Sequence, residues 1–138
     1  MLSSEGPRYR YNLAEGFVRE AREDIALQRW RSCVDNSQLA VENAAKVALA
    51  LLGPVARTHD PAKLIRKQLD AESFPTQVRS KVERLAECAE VLGPRVHAQS
   101  DYGDDESMKT PWQLFNQIDA QQALNLAEEA VRLAKEII

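Results

Sequence analysis

The sequence lacks the features that would commit it to several large functional classes. Only five glycines occur in 138 residues, and none sits in a phosphate-cradling loop. There is no GxSxG elbow and no pair of zinc-ligand motifs, so no nucleophile or metal is indicated and no cofactor is expected. Cys33 and Cys88 are the only cysteines, with no CxxC and no histidine at ligand spacing. They read as buried thiols in a reducing compartment. The longest uncharged apolar run, Val47–Leu52, is far below membrane-spanning length. The first residues lack a basic stretch followed by an apolar core. The expectations are no membrane association and a cytoplasmic location.

What is present describes a globular chain. The apolar fraction is 44% and the charged fraction 28%, too apolar for a disordered segment. This length suits one domain over residues 1–138, able to bury roughly 65–70% of its unfolded surface without a disulfide or metal staple. The net charge of −3 argues against the whole molecule as a nucleic-acid binder. Charge is uneven, because residues 57–84 hold seven Lys/Arg against four acids, a local +3 that leaves −6 elsewhere. That segment could dock RNA phosphates, or it is a solvated face.

Ala, Leu, Glu, Arg and Gln dominate and β-branched runs are absent, which favours helix throughout. Residues 1–11 read as a lead-in, and Phe17, Ala21 and Ile25 mark one face of a first helix over about 13–27. Trp30, Val34, Ser37, Val41, Ala44, Ala48 and Leu51 alternate steps of four and three, the clearest seam in the chain. A turn is placed near Gln28–Trp30, since one 40-residue helix would be unusual in a small domain. Gly53-Pro54 stops the second helix, and Asp60-Pro61 starts a third that ends near Asp70. Phe74-Pro75 starts a fourth, with the seam Val78, Val82, Leu85, Ala89 and Leu92, which Gly93-Pro94 breaks. Residues 95–110, rich in Asp, read as an exposed loop, and 111–118 as an anchoring segment. The last helix runs from about Asp119, with Ala120, Ala123, Ala127, Ala130 and Ala134 on one face. Small residues let backbones approach closely, so this helix is expected to lie along the second. The sum is an all-α, antiparallel up-and-down bundle of about five helices.

Several local patterns, in this order, carry a resemblance. Ala21 to Ile25 combines Ala, acids and an aliphatic; Ala40 to Leu51 places Glu42, Asn43 and Lys46 among small residues ahead of an apolar end. Thr58-His59-Asp60-Pro61 is a short link, Asp101-Tyr102 a D-Y pair, and Asp119-Ala120 with Ala127 to Ala130 a final helix. Together, over about residues 12–137, they resemble the HEPN family (higher eukaryote and prokaryote nucleotide-binding domain). The resemblance implies a bundle, often a homodimer, often working beside a minimal nucleotidyltransferase partner as one half of a toxin–antitoxin type pair. Many members are metal-independent RNases using an Arg and a His a few residues apart. This chain departs there: Glu90 to Leu92 precede His97 at that distance, and Leu52 to Pro54 precede His59, with no arginine in either window.

The candidate site follows. Arg95 could clamp a phosphate, His97 transfer a proton and Tyr102 stack on a base, with Asp101 beside them. Arg95 and His97 would point about 200° apart on a helix and converge only in a loop. The alternative is a loop whose Arg and Asp pair while Tyr102 plugs the bundle end. His59 is either a ligand residue or a helix-end partner. Glu42 and Lys46 are i,i+4 in the order that supports a helix, worth roughly 0.3–0.5 kcal/mol if exposed, while the resemblance raises Asn43 and Lys46 as groove residues. The leading expectation is a binding and assembly module for nucleotide, RNA or a nucleotidyltransferase. The second is an RNase using Arg95 with His97 or His59.

Overall fold

The computed structural model describes residues 5–138, and among these it is a helical bundle without strands. The helices are α1 (Glu5–Ala26), α2 (Trp30–Ala50), α3 (Pro61–Asp70), α4 (Thr76–Val91), α5 (Pro94–Tyr102), the single turn α6 (Pro111–Leu114) and α7 (Gln117–Ile137). The bundle expected from the seams is therefore present, with α5 and α6 added.

α1 starts well before residue 13, inside the segment read as a lead-in. Pro7 lies in its first turn, where a missing N–H leaves no intrahelical bond unmade. Pro7, Ala14, Val18 and Ala21 are buried, so the inward face centres on these residues while Phe17 and Ile25 flank it. The turn falls where expected: Gln28 takes a left-handed φ of 58° and the Arg29 amide donates to the Asp24 carbonyl at 2.8 Å. The chain then reverses, and α2 returns along α1 until Ala50 lies beside Gly6.

α2 is the axis of the molecule. It packs against α1, α3, α4, α5, α6 and α7, and every residue from Ala40 to Ala48 is buried among them. α7 lies along it as the alanine seam predicts: Ala120, Ala123, Ala127, Ala130 and Ala134 are all buried, and Cys33 Sγ lies 3.6 Å from the Ala120 carbonyl oxygen. α4 seats Val82, Leu85 and Ala89 in the same core, with Val78 half-buried at the start of that seam. Bidentate pairs lock the outer helices, Arg66 to Glu90 between α3 and α4, and Arg84 to Glu129 between α4 and α7.

The largest departure from expectation is α5, which occupies part of the segment read as an exposed loop. Pro94 ends one helix by lacking an N–H, and the same property suits it to the first turn of the next. Gly93 allows this tight junction, because a Cβ there would lie 2.8 Å from the Ala89 carbonyl oxygen. Gly103, at φ 80°, closes α5 where a Cβ would collide with the Lys109 carbonyl oxygen. Of the stretch read as a loop, only residues 103–110 form one, held by reciprocal Asp104 and Lys109 backbone bonds of 2.9 and 3.1 Å. α7 begins at Gln117, two residues early, because Asn116 and Asp119 cap each other reciprocally at 2.9 Å.

Burial pushes the Cys33 and Cys88 thiols up to about 11. A thiol with a folded value above its unfolded one supports the fold fully below the unfolded value, and that support is lost as pH rises through the folded value. Both thiols are predicted to resist alkylation in the native protein at about pH 8 and to react on unfolding. Denaturation midpoints are predicted to fall between the ordinary thiol value of 9.0 and about 11. Rapid native-state labelling would contradict this.

Candidate functional site

A polar ribbon runs along α2: Asp35, Gln38, Glu42 and Lys46, spaced three, four and four residues apart. These steps place the four on one face. Gln38, Glu42 and Lys46 are only 0%, 4% and 7% exposed. Glu42 and Lys46, neighbours at i,i+4, are thus a buried pair, 3.1 Å apart. Buried polar groups are costly unless each finds a partner. The ribbon is satisfied partly from within and partly by two segments laid over it.

One segment is the link between α2 and α3, which brings His59 Nδ1 to 3.3 Å from Glu42 Oε1. The other is α5, which brings His97 Nδ1 to 3.0 Å from Gln38 Oε1. The two imidazoles stack, with ring centroids 4.8 Å apart and planes 16° from parallel. Since an ionised Glu42 can only accept, Gln38 must direct its NH₂ to Glu42 Oε1, at 3.3 Å, and its carbonyl to His97. His97 therefore donates through Nδ1, and the same argument makes His59 Nδ1 a donor to Glu42.

At the other end of the ribbon, Ser100 Oγ donates to Asp35 Oδ1 at 2.9 Å, and is also 3.0 Å from the His97 carbonyl oxygen. Arg31 donates through Nη2 to Asp101 Oδ1 at 3.2 Å and through Nε to the Ser100 carbonyl. Its guanidinium lies 5.9 Å from the Trp112 ring centroid. His97 Nε2 faces Asp101 Oδ2 at 3.8 Å.

The sequence candidates divide clearly. His59 and His97 come together over the ribbon, with Lys46 on Glu42 toward one end and Asp101 beside His97 at the other. Arg95 does not: α5 is helical, so Arg95 points away from His97 and stands exposed. Asp101 pairs with Arg31, which replaces the Arg95–Asp pairing considered from sequence. Tyr102 is 82% exposed and plugs nothing. Asn43 is buried, but its side chain donates to the Leu39 carbonyl of its own helix at 2.9 Å, outside the ribbon. Part of the basic segment is engaged: Arg66, Lys81 and Arg84 pair with Glu90, Glu136 and Glu129, and Arg79 reaches the Phe74 carbonyl, while Arg57, Lys63 and Lys67 are exposed.

Sequence reasoning misses Arg31, Asp35, Gln38 and Ser100. The first three have a readable signal, polar residues at helical spacing beside the apolar seam; Ser100 has none, since α5 itself is not foreseen. Lys46→Met, which leaves Glu42 buried without its cation, is predicted to cost about 3 kcal/mol in urea denaturation. The double change Glu42→Gln with Lys46→Met is predicted to cost less than the single one. A single variant as stable as wild type would contradict the burial of this pair.

The comparisons with known proteins agree with this architecture. The HEPN domain model matches residues 8–137. The crystal structure of TT1696 from Thermus thermophilus superimposes with a TM-score of 0.70 at 19% identity, covering 96% of this chain and 98% of that one, a likeness of fold. No curated protein matches. With all but its extreme ends inside the family model, this chain belongs to the HEPN domain family.

Proposed function

We propose that the chain is a cytoplasmic, single-domain HEPN module that binds a nucleotide or RNA over the His59–His97 stack. In this reading it works as a homodimer beside a nucleotidyltransferase partner, as one half of a toxin–antitoxin type pair. The observation that carries the binding reading is the stacked histidine pair over a buried polar ribbon. Family membership supports a nucleotide- or RNA-related module in general terms. The His59 side chain is 68% exposed, so one imidazole face is free to stack on a base. Arg57, exposed and two residues before His59, suits a phosphate contact.

The dimer reading has separate support. A groove of about 490 Å³ is lined by Val34, Val91, Leu92, Val96, Phe115 and Leu126 among others. Phe115 also lines the neighbouring hollow with exposed Trp112. In this reading a second copy would cover that apolar surface.

The test is titration with nucleoside triphosphates and short single-stranded RNA, together with co-purification with nucleotidyltransferases from the same genome. His59→Ala is predicted to weaken nucleotide or RNA binding about tenfold without loss of fold. Absence of both partner capture and binding at high micromolar ligand would end this reading.

The histidine pair also favours a second reading, a metal-independent RNase with one imidazole as base and the other as acid. In that case His59→Ala and His97→Ala are each predicted to lower RNA cleavage at least about 100-fold. Arg95→Ala would then reduce it less, since Arg95 faces away from the stack. Equal trace cleavage by wild type and all three variants would identify a contaminant.

A further inference from the structure

The geometry assigns a divalent metal site to Asp35, His97 and Asp101, one imidazole and two carboxylates supplied by α2 and α5. It lies at the far end of the ribbon from Lys46 and does not depend on nucleotide binding. One potential ligand atom from each residue lies within 4.8 Å of the others. Donors around a tetrahedral ion at about 2.0–2.2 Å stand roughly 3.3–3.6 Å apart. His97 Nε2 and Asp101 Oδ2, at 3.8 Å, are already near that separation. Binding an ion would require the set to draw in from within 4.8 Å to that separation.

The surrounding bonds make this more than a cluster of acids. His97 donates Nδ1–H to Gln38, whose orientation is fixed by Glu42. In the neutral ring this leaves Nε2 without a proton, 3.8 Å from Asp101 Oδ2. An acceptor thus faces an acceptor at 3.8 Å, too far for a hydrogen bond even with a proton added to Nε2. Asp101 has Oδ1 held by Arg31, which leaves Oδ2 for an ion. Asp35 has Oδ1 held by Ser100, which leaves its second oxygen. Every ligand is therefore oriented by an outer partner, as metal ligands are when they bind well.

The donor chemistry selects the ion. An imidazole with two carboxylates suits Zn²⁺ and its first-row neighbours better than Mg²⁺ or Ca²⁺, which prefer all-oxygen sets. Three protein donors leave a fourth position for water. The ion would join α2 to α5 and neutralise the facing carboxylates.

The test is titration of the metal-free full-length chain with Co²⁺, read by its visible d–d bands, and with Zn²⁺, read by calorimetry. One equivalent is predicted to bind, without the thiolate charge-transfer band that Cys33 or Cys88 would give. Asp35→Asn, His97→Gln and Asp101→Asn are each predicted to weaken binding at least about tenfold. Gln38→Leu, with all three ligands intact, should weaken it by about tenfold as well, whereas His59→Gln should not change it. If a variant fails to fold, the wild-type protein still decides: Zn²⁺ should perturb the His97 ring nitrogens in NMR spectra more than those of His59. Absence of d–d bands at about 1 mM Co²⁺, a thiolate band, undiminished binding by folded His97→Gln, or Zn²⁺ shifts centred on His59 would each overturn the proposal.

Discussion

The structure depends on one constraint: a helix enclosed by its neighbours carries a row of polar side chains that water cannot reach. Gln38, Glu42 and Lys46 are all less than a tenth exposed. A buried ion pair gains little over apolar packing, but losing one member leaves a desolvated charge. The row therefore requires partners, and the chain supplies them from the α2–α3 link and from α5. The pairing of the two histidines is a consequence, because each reaches the ribbon from its own side and their rings meet above it.

This arrangement separates stability from chemistry along a single helix. One side of α2 presents Val34, Val41, Ala44 and Ala48 to the core, where alanines of α7 complete the packing. The other presents hydrogen-bonding groups to the α2–α3 link and to α5. α5 buries only Ser100 fully, and that hydroxyl bonds Asp35. The segments over the ribbon are thus held as much by polar bonds as by oily surface, which makes their placement sensitive to the identity of a few residues.

Much of the bundle is legible in the sequence. The alternating steps from Trp30 to Leu51, the alanine face of the last helix and the proline starts at Pro61 and Pro75 each name an element or a packing face. The failures have physical reasons. Gly93-Pro94 reads as a stop, although proline is equally suited to a first turn, and α5 is hidden behind it. The start of α1 is obscured because polar and aromatic residues mask a seam that begins at buried Pro7. At the site, His59 and His97 stand out singly, but their meeting depends on tertiary packing. The burial of Glu42 and Lys46 is not legible, because an i,i+4 spacing fixes which residues are neighbours and not whether another segment covers them.

The central claim is that Glu42 orients Gln38 and Gln38 orients His97. Two-bond ¹H–¹⁵N NMR of the histidine side chains, recorded above the ordinary imidazole range of about 6.5, tests it most directly. The account predicts that His97 carries its proton on Nδ1, and that Gln38→Leu moves the population toward the Nε2–H tautomer. A wild-type His97 already in the Nε2–H form, unchanged by Gln38→Leu, would contradict it.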